Sequence, residues 1–183
     1  APPPPPAPPA TVDFQFRDGD RVVLVGNTLV ERAQRYGHLE TALVARLAGI
    51  RLTFRNLGWS GDTVRAESRG IFDPPAKGYQ RMLDHVARLK PTVLVLGYGS
   101  NASFGGDARI QEFLAQYRKL ISDLRSRSAP KARVVILSIP PQQRPGLRRL
   151  NTAVPVTSTF IRSDLDVPTE RNRQIDRYNT ALA

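Results

Sequence analysis

With 183 residues and a hydrophobic fraction of 40%, the chain is long enough for one domain with a real core, and the absence of cysteine excludes disulfides, thiol catalysis and cysteine metal sites. The formal net charge of +11 favours polyanions, whether nucleic acid, acidic polysaccharide or anionic lipid. The arginines that carry it are scattered, however, without the aromatic-interleaved cluster of a specific nucleic-acid site, and no apolar run approaches the roughly 18 residues of a membrane span.

Ala1 to Ala10 is nearly all proline, an extended segment that cannot join a core. Residues 1–12 read as a linker and 13–183 as the folded domain. The numbering opens on alanine and Met82 is the one methionine, so we expect a processed chain or a piece of a larger multidomain one. The proline-rich leader points to secretion or another extracytoplasmic setting. Phe14 and Phe16 alternate with polar residues and form an entry segment before the Asp18-Gly19-Asp20 turn.

Arg21-Val22-Val23-Leu24-Val25 is the apolar run of a strand covered on both faces. It ends in Gly26-Asn27-Thr28-Leu29. Tyr36, Leu39, Leu43 and Leu47 then share helical spacing, and Gly49 closes that helix. Arg51 to Asn56 predicts a short second strand, followed by the polar loop Leu57-Gly58-Trp59-Ser60-Gly61-Asp62-Thr63. Tyr79, Met82, Leu83, Val86 and Leu89 mark a helix stopped by Pro91. The third strand, Thr92 to Gly97, runs into Tyr98-Gly99-Ser100-Asn101. Asp107 is a candidate N-cap for a helix with the stripe Ile110, Phe113, Leu114, Tyr117, Ile121 and Leu124. Val134 to Leu137 predicts a fourth buried strand. An irregular stretch from Gln142 to about Pro168 is expected next, and Thr169 then caps a helix carrying Ile175, Tyr178 and Leu182. This strand–helix alternation predicts a parallel sheet between helix layers, in the order 2-1-3-4.

Three successive strands thus end in turns of glycine and small polar residues. In a parallel sheet these fall on one edge and can converge. Together they hold a hydroxyl, backbone N–H groups and a carboxamide, which is the inventory of acyl transfer: a nucleophile, and donors aimed at a tetrahedral oxyanion. No P-loop or dinucleotide fingerprint is present, and no cofactor or metal is expected. Asp164 and Asp166 form an isolated acidic pair that reads either as a weak cation site or as solvated.

The blocks Gly26-Asn27-Thr28-Leu29, Asn56 to Thr63 and Gly97-Tyr98-Gly99-Ser100-Asn101 resemble, in this order, the first three blocks of the GDSL/SGNH hydrolases. The resemblance implies a flavodoxin-like three-layer α/β/α sandwich and cleavage of acyl or carbohydrate esters, the partner being a small-molecule or glycan ester. Carried over, Thr28 stands at the nucleophile position, and Gly61 and Asn101 at the oxyanion hole, with the Thr28 backbone N–H as a third donor. Asn27, Trp59, Asp62 and Ser100 are candidate binding residues around them. Trp59 walls a pocket or anchors the loop; Asp62 bonds turn backbone or does acid–base work.

Two departures stand out. The first block normally reads Gly-Asp-Ser, whereas threonine here adds a methyl that stiffens χ1 and crowds the attacking oxygen. The family's closing Asp-x-x-His has no counterpart, and His38 and His85 both fall on helices. Only four strands are counted, so the expectation is a domain without its fifth strand and base, inactive as it stands. The alternative is a non-catalytic domain that binds a carbohydrate or related ligand on the hydrolase fold.

Overall fold

The structure, a computed structural model, describes residues 14–71, 73–142 and 158–183, the last segment by its backbone alone as far as residue 169. The proline-rich leader, residues 143–157 and the side chains of Asp164 and Asp166 lie outside the described residues.

Strands β1 (Asp20–Gly26), β2 (Leu52–Asn56), β3 (Val93–Gly97) and β4 (Arg133–Ile136) form one four-stranded sheet in the order β2-β1-β3-β4. Every pairing is parallel, with Val22 opposite Val93 and Gly26 opposite Gly97. Side chains alternate across a strand, and the core divides accordingly. Val23, Val25, Leu94 and Leu96 face one way, onto α3 (Pro75–Leu89), α4 (Ile110–Ser126) and α5 (Ser158–Leu182) through residues such as Met82, Leu120 and Tyr178. Val22, Leu24, Val93 and Val95 face the other way, onto Val30 of α1 (Thr28–Tyr36) and onto Phe14 and Phe16. The entry segment is therefore a strap across the second face, and its two phenyl rings meet edge to face at 5.0 Å.

Four expectations are corrected. The helix through Tyr36 and Leu47 is two helices, because Gly37 at φ +63° closes α1 in the left-handed conformation and α2 (His38–Arg46) starts afresh. Asp107 is not a side-chain cap. It lies in a 3₁₀ turn, Asp107–Arg109, ahead of α4 and pairs with Arg177 of α5. β4 is half-buried rather than buried, since among the described residues it is an edge strand with a neighbour on one side only. The final helix begins at Ser158, so Pro168 and Thr169 are interior to α5. Its anchors, Ile175 and Tyr178, lie further along and are buried; tertiary packing rather than local propensity holds such a helix.

At the amino end of the sheet, buried Asp20 accepts from the Arg17 N–H at 2.7 Å, the Thr92 hydroxyl at 2.7 Å and Arg133 Nη2 at 2.6 Å. Burial alone pushes its carboxyl up, but these three donors outweigh it and hold the group below the usual range.

Candidate active site

The carboxyl ends of β1 and β3 can approach α1 because both carry glycine there. A Cβ on Gly26 would stand 2.5 Å from the Gly97 carbonyl oxygen and from Val30 Cγ2, and one on Gly97 would stand 2.6 Å from Val30 Cγ2. The chain leaves β1 through Asn27, whose N–H donates to the Gly97 carbonyl at 3.0 Å. The buried Asn27 side chain accepts from Leu29 N–H at 3.1 Å and so caps α1. Thr28 is the first residue of that helix. Its backbone N–H, a first-turn donor, has no acceptor within the helix and lies at the positive end of the helix dipole.

The second loop comes to Thr28 from β2. Leu57 N–H and Trp59 N–H donate to Leu24 and Gly26 carbonyls at 2.8 and 2.9 Å, continuing the pairing with β1. Gly61 then turns at φ +70°, a conformation that favours glycine, and its N–H donates to Thr28 Oγ1 at 2.9 Å. The Gly61 carbonyl accepts from Asn101 Nδ2 and from the Ser68 hydroxyl, each at 2.8 Å. Thr28, Gly61 and Asn101 are therefore joined through one peptide loop. An amide nitrogen carries two hydrogens, so Asn101 holds Gly61 with one and retains the other. Ser60 donates its hydroxyl to Glu31, one turn along α1.

The third loop is fixed from α5. The buried Arg171 guanidinium donates through Nη2 to the Ser100 carbonyl at 3.1 Å and the Ser103 hydroxyl at 3.0 Å. Its Cζ lies 3.2 Å from the ring centroid of Phe104, a cation–π contact. Ser100 thus contributes its backbone to the loop. Nothing in its sequence neighbourhood marks Arg171, which is distant along the chain and belongs to no motif.

Asp62 and Trp59 sit on either side of this loop cluster. Asp62 is 1% exposed and accepts from Arg69 Nε at 2.7 Å and the Tyr98 hydroxyl at 3.2 Å. Burial, more than the attraction of Arg69 can offset, pushes its carboxyl up. Its Oδ1 makes no hydrogen bond to a described side chain or backbone group. Trp59 is half-exposed, donates Nε1 to the Ser68 carbonyl at 3.1 Å, and walls a cavity of about 240 Å³ with Asn56, Met82 and His85. A separate cavity of about 350 Å³ opens beside Asn101, between Asp62, Arg65, Phe104, Arg109 and Phe113. His38 stacks on Tyr36 with centroids 5.7 Å apart, and His85 lies on α3. Among the described residues, no histidine hydrogen-bonds Thr28.

A doubly covered parallel sheet with a polar cluster at the carboxyl ends of its strands is the α/β arrangement in which ligands meet loops at the strand ends. The chain belongs to the GDSL-like Lipase/Acylhydrolase family, which it matches over residues 19–183. Among solved structures it is similar to a gut microbial diltiazem-metabolizing enzyme, at 19% identity and a TM-score of 0.51, covering 90% of this chain and 34% of that one. It is also similar to Axe2, an acetylxylan esterase from Geobacillus stearothermophilus, at 16% identity and a TM-score of 0.51, covering 90% of this chain and 74% of that one. Both likenesses are of fold. No curated protein matches the chain in sequence.

Proposed function

We propose that the domain cleaves acyl or carbohydrate esters at Thr28, with Gly61 N–H, Thr28 N–H and the second Asn101 amide hydrogen as the oxyanion donors. The observation that carries this reading is the Gly61 N–H placed 2.9 Å from Thr28 Oγ1. A donor that already touches the attacking oxygen needs only a small shift to reach the carbonyl oxygen that becomes negative as that attack proceeds. Thr28 Oγ1 forms a bond to the ester carbon, the alkoxide leaves, and the Thr28 proton passes through a base to that alkoxide; water then releases the acid. Such a base must come within about 2.6–3.2 Å of the hydroxyl.

The absence of a described side chain that accepts the Thr28 proton favours a second reading, in which the domain binds a glycan ester without turning it over. An extracytoplasmic setting within a larger chain belongs to the same proposal. Hydrolysis of p-nitrophenyl acetate separates the readings. The esterase reading expects a weak rate that Thr28→Ala abolishes and Thr28→Ser raises. A rate unchanged in Thr28→Ala overturns it, and no rate in any form, with retained binding of an acetylated oligosaccharide, supports the binding domain.

A further inference from the structure

The cavity of about 350 Å³ beside Asn101 is of the size that holds small ligands, and its walls combine two kinds of surface. On one side stands Phe104, in the 3₁₀ turn Ala102–Gly105 that follows β3. At 68% it is the most exposed large apolar side chain of the described residues. The ring is nevertheless pinned: Arg171 Cζ lies 3.2 Å from its centroid, and that guanidinium is itself tied to Ser100 and Ser103. One part of the ring is thereby taken, and the rest is held open without an ordering cost at binding.

The charged lining of the same cavity is Arg65, Glu67, Arg109 and Glu112, with Asp62 already matched by Arg69. Arg65 pairs with Glu112 and lies 3.9 Å from Glu67. The stem of Arg109 packs on Gly105, where an added Cβ would meet its Cδ at 2.7 Å. Two cations thus face two carboxylates, and the cavity is balanced in a chain whose net charge is +11. Glu112 accepts from Arg65 and Gln116 on Oε1, while Oε2 has no donor among the described residues.

We propose that this cavity binds a neutral sugar unit of the ester, with Phe104 against the C–H face of the sugar ring and the Arg65–Glu112 wall exchanging hydrogen bonds with its hydroxyls. The proposal rests on the placement of the ester at Thr28 and Asn101. An acyl chain would cover Phe104 and Phe113 but strip water from two arginines and two glutamates. A uronate or phosphate would gain the arginines and meet the repulsion of Glu67 and Glu112. A neutral sugar brings an apolar face together with donors and acceptors around its edge.

Calorimetry on Thr28→Ala, which removes the attacking hydroxyl, tests it. The probes are acetylated oligosaccharides of glucose, xylose and mannose, an acetylated oligogalacturonate, and octanoylglycerol. At least one neutral oligosaccharide should bind, and more tightly than the acidic and lipid probes. Adding Phe104→Ala should weaken that binding at least about fivefold, and Phe104→Trp should retain it. The control, Tyr36→Ala, removes a ring 67% exposed on α1 and should leave binding unchanged. Glu67→Gln with Glu112→Gln should shift the preference toward the oligogalacturonate, and unchanged melting temperatures verify that the variants fold. The proposal is overturned if no neutral oligosaccharide binds, if the acidic or lipid probe binds more tightly, or if Phe104→Ala binds as well as its parent. Hydrolysis of p-nitrophenyl acetate by the unsubstituted chain, without oligosaccharide binding by Thr28→Ala, would overturn this proposal and leave the esterase reading standing. Binding without hydrolysis would do the reverse.

Discussion

Gly26 of β1 and Gly97 of β3 are register partners, and Val30 of α1 lies over both. The pair sets how closely α1, and with it Thr28, settles onto the strand ends. Gly97→Ala forces Val30 aside, and an overpacked core costs about 1–3 kcal/mol. Gly26→Ala should cost more, because its new methyl meets a backbone oxygen that cannot swing away. Adding Val30→Ala to Gly97→Ala should return part of the loss. Urea unfolding of the three variants checks this, and a neutral Gly97→Ala would remove the argument.

The oxyanion assignment separates activity from stability. On the proposed reading, Asn101→Ala gives up one oxyanion donor, a loss that lowers the kcat of characterised hydrolases by about 10²–10³, while the exposed side chain contributes little to folding. Gly61→Ala should reduce both, since an alanine held at φ +70° is strained by about 1–2 kcal/mol and shifts the N–H that faces Thr28. Parallel kcat and melting measurements decide the matter. An Asn101→Ala enzyme as active as wild type would discard that donor.

Asp62 and Arg69 form a buried pair, 0% and 8% exposed at their side chains. Removing one partner leaves an uncompensated charge, and such changes cost about 3–5 kcal/mol. Asp62→Asn and Arg69→Met should each be strongly destabilising, and the double variant much less so than their sum. Because burial raises the Asp62 pKa, its folded form holds a proton more tightly than the unfolded chain does. Its contribution therefore weakens as pH rises from the usual carboxylate value toward the folded one. Additive losses in a double-mutant cycle would mean that the two side chains act independently.

Asp20 has the opposite sign. Its folded pKa is lowered, so its contribution is complete above the unfolded value of about 3.9 and fades as pH falls through the folded one. Stability followed from neutral pH into acid should drop along this limb, and Asp20→Asn should be less stable at neutral pH with a flatter acid limb. An unchanged limb in that variant would assign the acid sensitivity to other carboxylates.

The sheet was legible in the sequence because uninterrupted apolar runs such as Val22 to Val25 and Val93 to Leu96 have few other uses in a chain that alternates with helical stripes. The sheet order followed from the same alternation. Gly37 was harder to read: the leucine spacing continues past it, and nothing local says that the glycine will take a positive φ. Pro168 misled in the other direction, because a proline reads as a stop unless the packing beyond it, here Ile175 and Tyr178, is known. The turns carrying Thr28, Gly61 and Asn101 were visible as glycine and small polar residues at strand ends. What no local pattern could convey was their support: Tyr98 reaches Asp62 from another strand end only once the chain has folded, and Arg171 reaches Ser100 likewise.

The clamp of Arg171 on Ser100 and Ser103 also sets an order of events at the ribosome. β1, β2 and β3, with the loops that follow them, emerge long before α5, and domains begin to fold while synthesis continues. Until residue 171 leaves the exit tunnel, the stretch around Asn101 lacks the guanidinium that fastens it. The sheet can therefore precede the fastening of the candidate site's third loop, and a pause in translation after β4 has emerged but before residue 171 does would hold back that loop while leaving the sheet free to form.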